Sequence, residues 1–329
     1  MSRHSALPFV PFPAGSPRYV PREQVAEYLE SYARRFEIAP SFGEEAVALA
    51  RRGESWATSC RSGARFLSRY VVVATGANNV PNVPAFPGQQ AYRGRVMHSR
   101  EYRTAAPFAA QRVLVVGMGN TGSEIALDLA EHGVPVALAV RSPVNVVRRD
   151  VLGRPTQLTS MMLGRLPTRI GDAVARMLRD LTVGDLGRWG ITMSSVSPLR
   201  QLREEGRTPM IDVGTLAMIR RGRIAVRPGI DAFSADGVRF VDGRSDPYDT
   251  VILATGYRPA LGALFPGLAL EVDANGMPAS PIGSGEFTGV FFAGFDVRQP
   301  GGLLRTIGQQ AVHIAAQIAR LRNARAAVD

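Results

Sequence analysis

Apolar positions in this chain follow two spacings. Four runs are continuous and rich in β-branched or aromatic residues: Tyr70–Gly76 (YVVVATG), Val113–Val116 (VLVV), Val251–Gly256 (VILATG) and Val290–Gly294 (VFFAG). Such runs read as strands buried on both faces, and three of them end in a glycine turn. The segment VPVALAV (134–140) predicts another strand, and Ile224–Val226 and Val238–Val241 predict two short ones. Elsewhere the period is helical. Val25, Tyr28, Leu29, Tyr32 and Phe36 predict a helix over 21–36, and a last helix is expected from about Thr306 to Leu321. A helical insert lies at about 150–190. In it Leu166, Ile170, Val174, Met177, Leu178 and Leu181 share one face, with Arg165, Arg169, Arg176 and Arg179 largely off it. That apolar face is expected to pack against the core. The Pro-rich segments 8–21 and 81–88 are expected to be extended.

Two of the buried runs end in the same tripeptide, Ala-Thr-Gly, and they bracket the 113–133 segment. The arrangement predicts a chain that leaves one domain, builds a second and returns. The fold class expected is α/β, with two dinucleotide-binding, Rossmann-like domains, one inserted in the other. Residues 106–260 are assigned to the inserted domain, which carries the helical insert, and residues 1–105 plus 261–329 to the other domain.

Gly117, Gly119 and Gly122 stand in G-x-G-x-x-G spacing, directly after a predicted strand and at the opening of a predicted helix that closes at Gly133. The first glycine permits a tight turn, the second a close approach of backbone to a pyrophosphate, and the third close packing of helix on strand. Asn120 and Thr121 open the helix, whose free N–H groups suit phosphate oxygens. The following strand ends in Arg141-Ser142, where an NAD site carries an acidic residue for the ribose 2′-hydroxyl. A cation and a hydroxyl there suit a 2′-phosphate, so NADPH is expected over NADH. Thr75 and Gly76, and Ala254, Thr255 and Gly256, are expected beside the cofactors, the threonines closing turns.

Composition narrows the class. At 329 residues the chain has room for about two domains. No apolar run approaches a membrane span, and MSRHSALPFVPFPAG has no apolar signal core. The single cysteine, Cys60, allows neither an internal disulfide nor a redox-active Cys pair, which points to the cytoplasm. The net charge of +11 comes entirely from arginine, 39 residues with no lysine. The arginines are scattered, so a nucleic-acid partner is not expected, nor is membrane association; the charge favours anionic small ligands.

Tyr92, Gly94, His98 and Tyr102 stand in Tyr-x-Gly-x-x-x-His-x-x-x-Tyr spacing, and DVLGR (150–154), TVGDLGRWGI (182–191), TPMIDVGTLAMIRRGRI (208–224) and VILATGYRP (251–259) follow in order. On these residues and the glycine motif the chain resembles the class B flavin-containing monooxygenases, and within them the YUCCA-type enzymes. The four spaced residues fit that family's Phe/Tyr-x-Gly-x-x-x-His-x-x-x-Tyr/Phe motif. VVGMGNTGSEIALDLAEHG resembles its NADPH site, and the four later stretches resemble successive YUCCA-type segments. The family begins with a separate strand–G-x-G-x-x-G–helix unit for the ADP half of FAD, and no such unit stands before residue 92. The flavin domain is therefore expected to be N-terminally incomplete, with the 71–76 strand short of a neighbour. A mis-called start, a truncated gene and a split enzyme are all open.

The resemblance implies FAD and NADPH as cofactors. It implies oxygenation of a small organic substrate, a 2-oxo acid such as indole-3-pyruvate, by O₂ through a C4a-peroxyflavin. No side-chain catalytic pair and no metal are expected. A non-catalytic NADP(H)-binding remnant, or one half of a split flavoenzyme, is the alternative. His98 is expected to be structural, Asp212 to satisfy turn N–H groups, and Asp296 resembles the acidic position some flavoproteins use near the ribityl chain. A homodimer is compatible with these features.

Overall fold

The computed structural model describes residues 5–326. The chain forms two compact units: one runs to Val80 and resumes at Arg258, and the other is Pro81–Tyr257. Residues 81–105 thus belong with the nucleotide motif, not with the flavin side as expected from sequence. The reason is strand pairing: Arg95–His98 lies parallel to Thr250–Leu253, with Arg95 opposite Thr250.

The 81–257 unit is built on a five-stranded parallel sheet in the order Ile224–Arg227, Val136–Ala139, Val113–Val116, Thr250–Leu253, Arg95–His98. Alternation along the strands divides its core in two. Val113, Val115, Leu138 and Ile252 face the helix Asn120–Glu131 through Ile125 and Leu129. Leu114, Ala137, Val251 and Leu253 face the other way, onto Phe233, Val238 and Phe240. Those residues come from an antiparallel sheet of Ile230–Phe233, Gly237–Phe240 and Ser245–Pro247. Strands covered on both faces require continuous apolar sequence, which is why VLVV and VILA have no polar alternation.

The insert consists of a hairpin, Asp150–Val151 with Arg154–Pro155, and two helices, Thr156–Leu163 and Thr168–Val183. Here the expected orientation is reversed. The buried residues of the longer helix are Gly171, Ala175, Arg179 and Val183, whereas Leu166, Ile170, Met177 and Leu181 are exposed. Close approach selects the small face: a Cβ on Gly171 would lie 2.6 Å from the Leu163 carbonyl oxygen. Arg179 completes that face, donating to Asn145 Oδ1 at 2.5 Å and to the Ser194 carbonyl at 2.7 Å.

The other unit carries the helix Arg22–Arg35 and the antiparallel strands Ala46–Arg52, Ser55–Cys60 and Arg65–Ser68. A parallel pair, Val71–Val73 with Val290–Phe292, and the helix Leu303–Ala326 complete it. Trp56, Phe265, Phe287 and Phe292 centre its core. Val71–Val73 is not the fully buried strand expected: Val72 is 46% exposed, and among the described residues Val290–Phe292 is its one partner strand.

Candidate dinucleotide-binding site

In the 81–257 unit the three glycines differ sharply in what surrounds them. Gly117 has φ +107°, and a Cβ there would lie 2.7 Å from the Ala254 carbonyl oxygen. A Cβ on Gly122 would lie 2.0 Å from the Gly117 carbonyl oxygen and 3.1 Å from the Ala254 methyl. Gly119 faces open space, with nothing within 4 Å of a Cβ. It is also the N-cap of the Asn120–Glu131 helix, which has no side-chain cap and no acid in its first turn. Its first N–H groups and positive dipole end are therefore available to an anion.

The turn sits at the carboxyl ends of the parallel strands, where the order runs to Val136–Ala139 on one side and Thr250–Leu253 on the other. Ligands bind open α/β sheets at such a switch point. Val136–Ala139 leads to Arg141 and Ser142, both exposed. The Arg141 stem passes over Gly229, whose Cβ would meet its Cγ at 3.1 Å, and no described residue pairs with its guanidinium. Thr121 is exposed as well. The Asn120 side chain is instead held by the protein, accepting from Ile211 N–H at 2.7 Å and donating to the Pro209 carbonyl at 3.4 Å. Only its backbone remains for a ligand.

Ala254, Thr255 and Gly256 close the site on the far side. Thr255 Oγ1 donates to the Asn82 carbonyl at 2.5 Å, and Asn82 N–H donates to the Gly256 carbonyl at 2.9 Å. Asn82 is not legible from sequence as a site residue; its one signal there is its place between prolines in the extended 81–88 segment.

The four motif residues form a framework around this turn. Tyr92 Oη donates to the Tyr248 carbonyl at 2.8 Å. Burial pushes its phenol up to about 12. A Cβ on Gly94 would lie 2.4 Å from the Tyr92 ring and 2.7 Å from the Asp249 carbonyl oxygen, so only glycine fits beneath that ring. His98 Nδ1 accepts from Arg100 N–H at 3.2 Å, which leaves the proton on Nε2. Nε2 then donates to the Gly256 carbonyl at 3.1 Å. Glu101 completes a capping box by accepting from His98 N–H at 2.9 Å. Tyr102 donates to Asp128 on the nucleotide helix; burial, with this carboxylate second, holds its phenol above the usual range. Asp212 accepts from the Gly214 and Leu216 N–H groups at 3.2 and 3.0 Å.

The remaining candidates lie in the other unit. Thr75 and Gly76 follow Val71–Val73, and Gly76 has φ +77° with open space at its Cβ. Asp296 Oδ1 accepts from Arg298 N–H at 3.1 Å, while no described residue meets its second oxygen.

Comparison with known proteins fits this geometry. Residues 1–268 match the family described as flavin-binding monooxygenase-like. The chain is 40% identical over 260 residues to indole-3-pyruvate monooxygenase YUCCA1 of Oryza sativa subsp. japonica, covering 78% of this chain and 64% of that protein. It is 35% identical over 318 residues to probable indole-3-pyruvate monooxygenase YUCCA1 of Arabidopsis thaliana, covering 95% and 76%. A flavin-containing monooxygenase from Stenotrophomonas maltophilia shares the fold, with a TM-score of 0.72 at 22% identity over 97% of this chain and 83% of that one. The chain thus spans a little under two thirds of the rice relative. A glycine cradle at a sheet switch point, the four-residue framework around it and these likenesses converge: the chain belongs to the flavin-binding monooxygenase-like family, alongside its YUCCA-type members.

Proposed function

We propose that this chain serves an NADPH- and FAD-dependent cytoplasmic monooxygenase that oxygenates a small 2-oxo acid of the indole-3-pyruvate kind. One observation carries the reading: open space at Gly119 lies against an uncapped helix start, in a chain 35–40% identical to enzymes named for indole-3-pyruvate. Bound NADPH and FAD supply the reducing equivalents and the oxygen chemistry. The residues of the 81–257 unit do the binding. Gly117 turns the chain beneath the pyrophosphate, Gly119 lets it approach, and the helix N–H groups hold its oxygens. Arg141 pairs with the 2′-phosphate by charge-assisted hydrogen bonds, supported by Ser142.

The flavin side fits in part. The free oxygen of Asp296 suits a hydroxyl of a ribityl chain, and the open turn at Thr75-Gly76 leaves room for backbone contact. The diphosphate of FAD has no second glycine cradle among the described residues, so no residue of this chain is assigned to it.

The test is a titration followed by turnover. NADPH should bind the purified chain near stoichiometrically. With FAD and indole-3-pyruvate added, NADPH oxidation, O₂ uptake and loss of the 2-oxo acid should proceed together. Tight NADPH binding with no flavin- and substrate-dependent O₂ uptake would overturn the monooxygenase reading for this chain and leave an NADP(H)-binding protein.

A further inference from the structure

The helical insert presents an apolar surface outward. On helix Thr168–Val183 the buried residues are small, and Ile170, Met177 and Leu181 are 53%, 53% and 75% exposed. At roughly 100° per residue these three fall together, opposite the buried face. The surface continues through Leu166 at 43% and Met162 at 52% exposure. Leu152, at the tip of the preceding hairpin, is 98% exposed and has φ +49°. A leucine held outward in a left-handed conformation gains nothing from the protein itself.

Charge identifies the occupant. The insert has three carboxylates, and each is paired with an arginine: Asp150 with Arg149, Asp172 with Arg203, Asp180 with Arg179. Arg165, Arg169 and Arg176 are exposed and have no partner among the described residues. The unpaired charges on the rim of the apolar surface are therefore all cationic. A second copy docking face to face would set these arginines against their own kind. An anionic phospholipid surface would satisfy them while receiving the apolar side chains. No helix among the described residues is long and apolar enough to cross a membrane. An amphipathic helix lying in the interface needs only such a face with basic residues beside it.

We propose that residues 150–183 dock this protein peripherally on an anionic bilayer, with Ile170, Met177 and Leu181 entering the headgroup boundary and Arg165, Arg169 and Arg176 meeting lipid phosphates. The proposal does not depend on the nucleotide or on turnover, so it stands or falls apart from the monooxygenase reading.

The test uses the full chain sedimented with two vesicle preparations: phosphatidylcholine alone, and phosphatidylcholine with about one-third phosphatidylglycerol. Binding to the second, weak binding to the first, and release by high salt are expected. The combined Arg165→Gln, Arg169→Gln and Arg176→Gln variant should lose roughly 100-fold in affinity for anionic vesicles, near fivefold per arginine. The combined Ile170→Ser, Met177→Ser and Leu181→Ser variant should lose at least ~10-fold. Both should keep the parent melting temperature and NADPH affinity, because the altered side chains are exposed. Failure of the parent to bind anionic vesicles would overturn the proposal, as would unchanged binding by either variant. A concentration-dependent dimer abolished by the serine variant, without lipid binding, would assign the face to a second copy and overturn it equally.

Discussion

His98 and Gly256 are tied by a 3.1 Å hydrogen bond from the imidazole Nε2 to the carbonyl oxygen. That bond holds the end of Arg95–His98 to the Ala254–Gly256 turn, and the same turn packs on Gly117 and Gly122. The histidine of the family motif thus supports the glycine turn through its backbone partner.

Replacing it should loosen the cradle. His98→Ala leaves the Gly256 carbonyl and the Arg100 N–H without these partners, which should cost about 1–3 kcal/mol. Denaturant unfolding should show the loss, and NADPH titration should show weaker binding. Unchanged stability would mean that the imidazole does not hold the turn.

The glycines should separate folding from binding. At Gly122 a methyl meets a carbonyl oxygen at 2.0 Å. Gly122→Ala should therefore lower stability by roughly 1–3 kcal/mol through overpacking. At Gly119 nothing lies within 4 Å and the backbone is extended, with φ −86° and ψ −175°. Gly119→Ala should melt like the parent yet bind NADPH at least ~10-fold more weakly, because its methyl enters the space of the pyrophosphate. Calorimetric melting and titration of the two variants check the contrast; similar behaviour of both would misplace the site.

Arg141 should decide between the two nicotinamide dinucleotides. Charge-assisted hydrogen bonds to a 2′-phosphate are worth about 1.5–3 kcal/mol, so Arg141→Ala should cost roughly 10- to 100-fold in NADPH affinity. NADH affinity should hardly change. Equal losses for both nucleotides would show that Arg141 does not read the phosphate.

Much of this arrangement is visible in the sequence where burial forces continuous apolar runs. Val113–Val116 and Thr250–Leu253 are sandwiched between two apolar layers, so VLVV and TVIL announce themselves. The antiparallel strands Ala46–Arg52, Ser55–Cys60 and Arg65–Ser68 do not. Their inward residues are few, Leu49, Trp56 and Cys60, and the outward ones include Arg51, Arg52 and Arg65. The insert misleads because amphipathicity says that a helix has an apolar face, not what covers it. Its protein-facing side is chosen by size at Gly171 and Ala175 and by hydrogen bonding at Arg179. In the cradle the glycine spacing is legible, while Asn82 and the Asn120 link to Ile211 depend on loops that meet only in three dimensions.

Alkaline pH should weaken the 81–257 unit through two buried tyrosines. Burial raises both Tyr92 and Tyr248 from 10.0 to about 12. Their phenols ionise more readily in the unfolded chain, so their contribution to stability is complete below pH 10 and is lost as pH rises toward 12. Stability measured by denaturant should decline across that window. Tyr92→Phe should flatten part of the decline, and an unchanged slope would count against a raised pKa for this phenol.

The parallel pairing of Val71–Val73 with Val290–Phe292 also sets a timetable for synthesis. More than two hundred residues separate the partners, so the first strand leaves the ribosome long before the second exists. At about 5–20 residues per second the wait is roughly 10–40 s. The intervening 81–257 unit is contiguous and can fold during that interval. Throughout it the VVV edge offers unpaired backbone to any neighbouring chain, which makes early exposure of this strand the stage of biogenesis most open to chaperones and to aggregation.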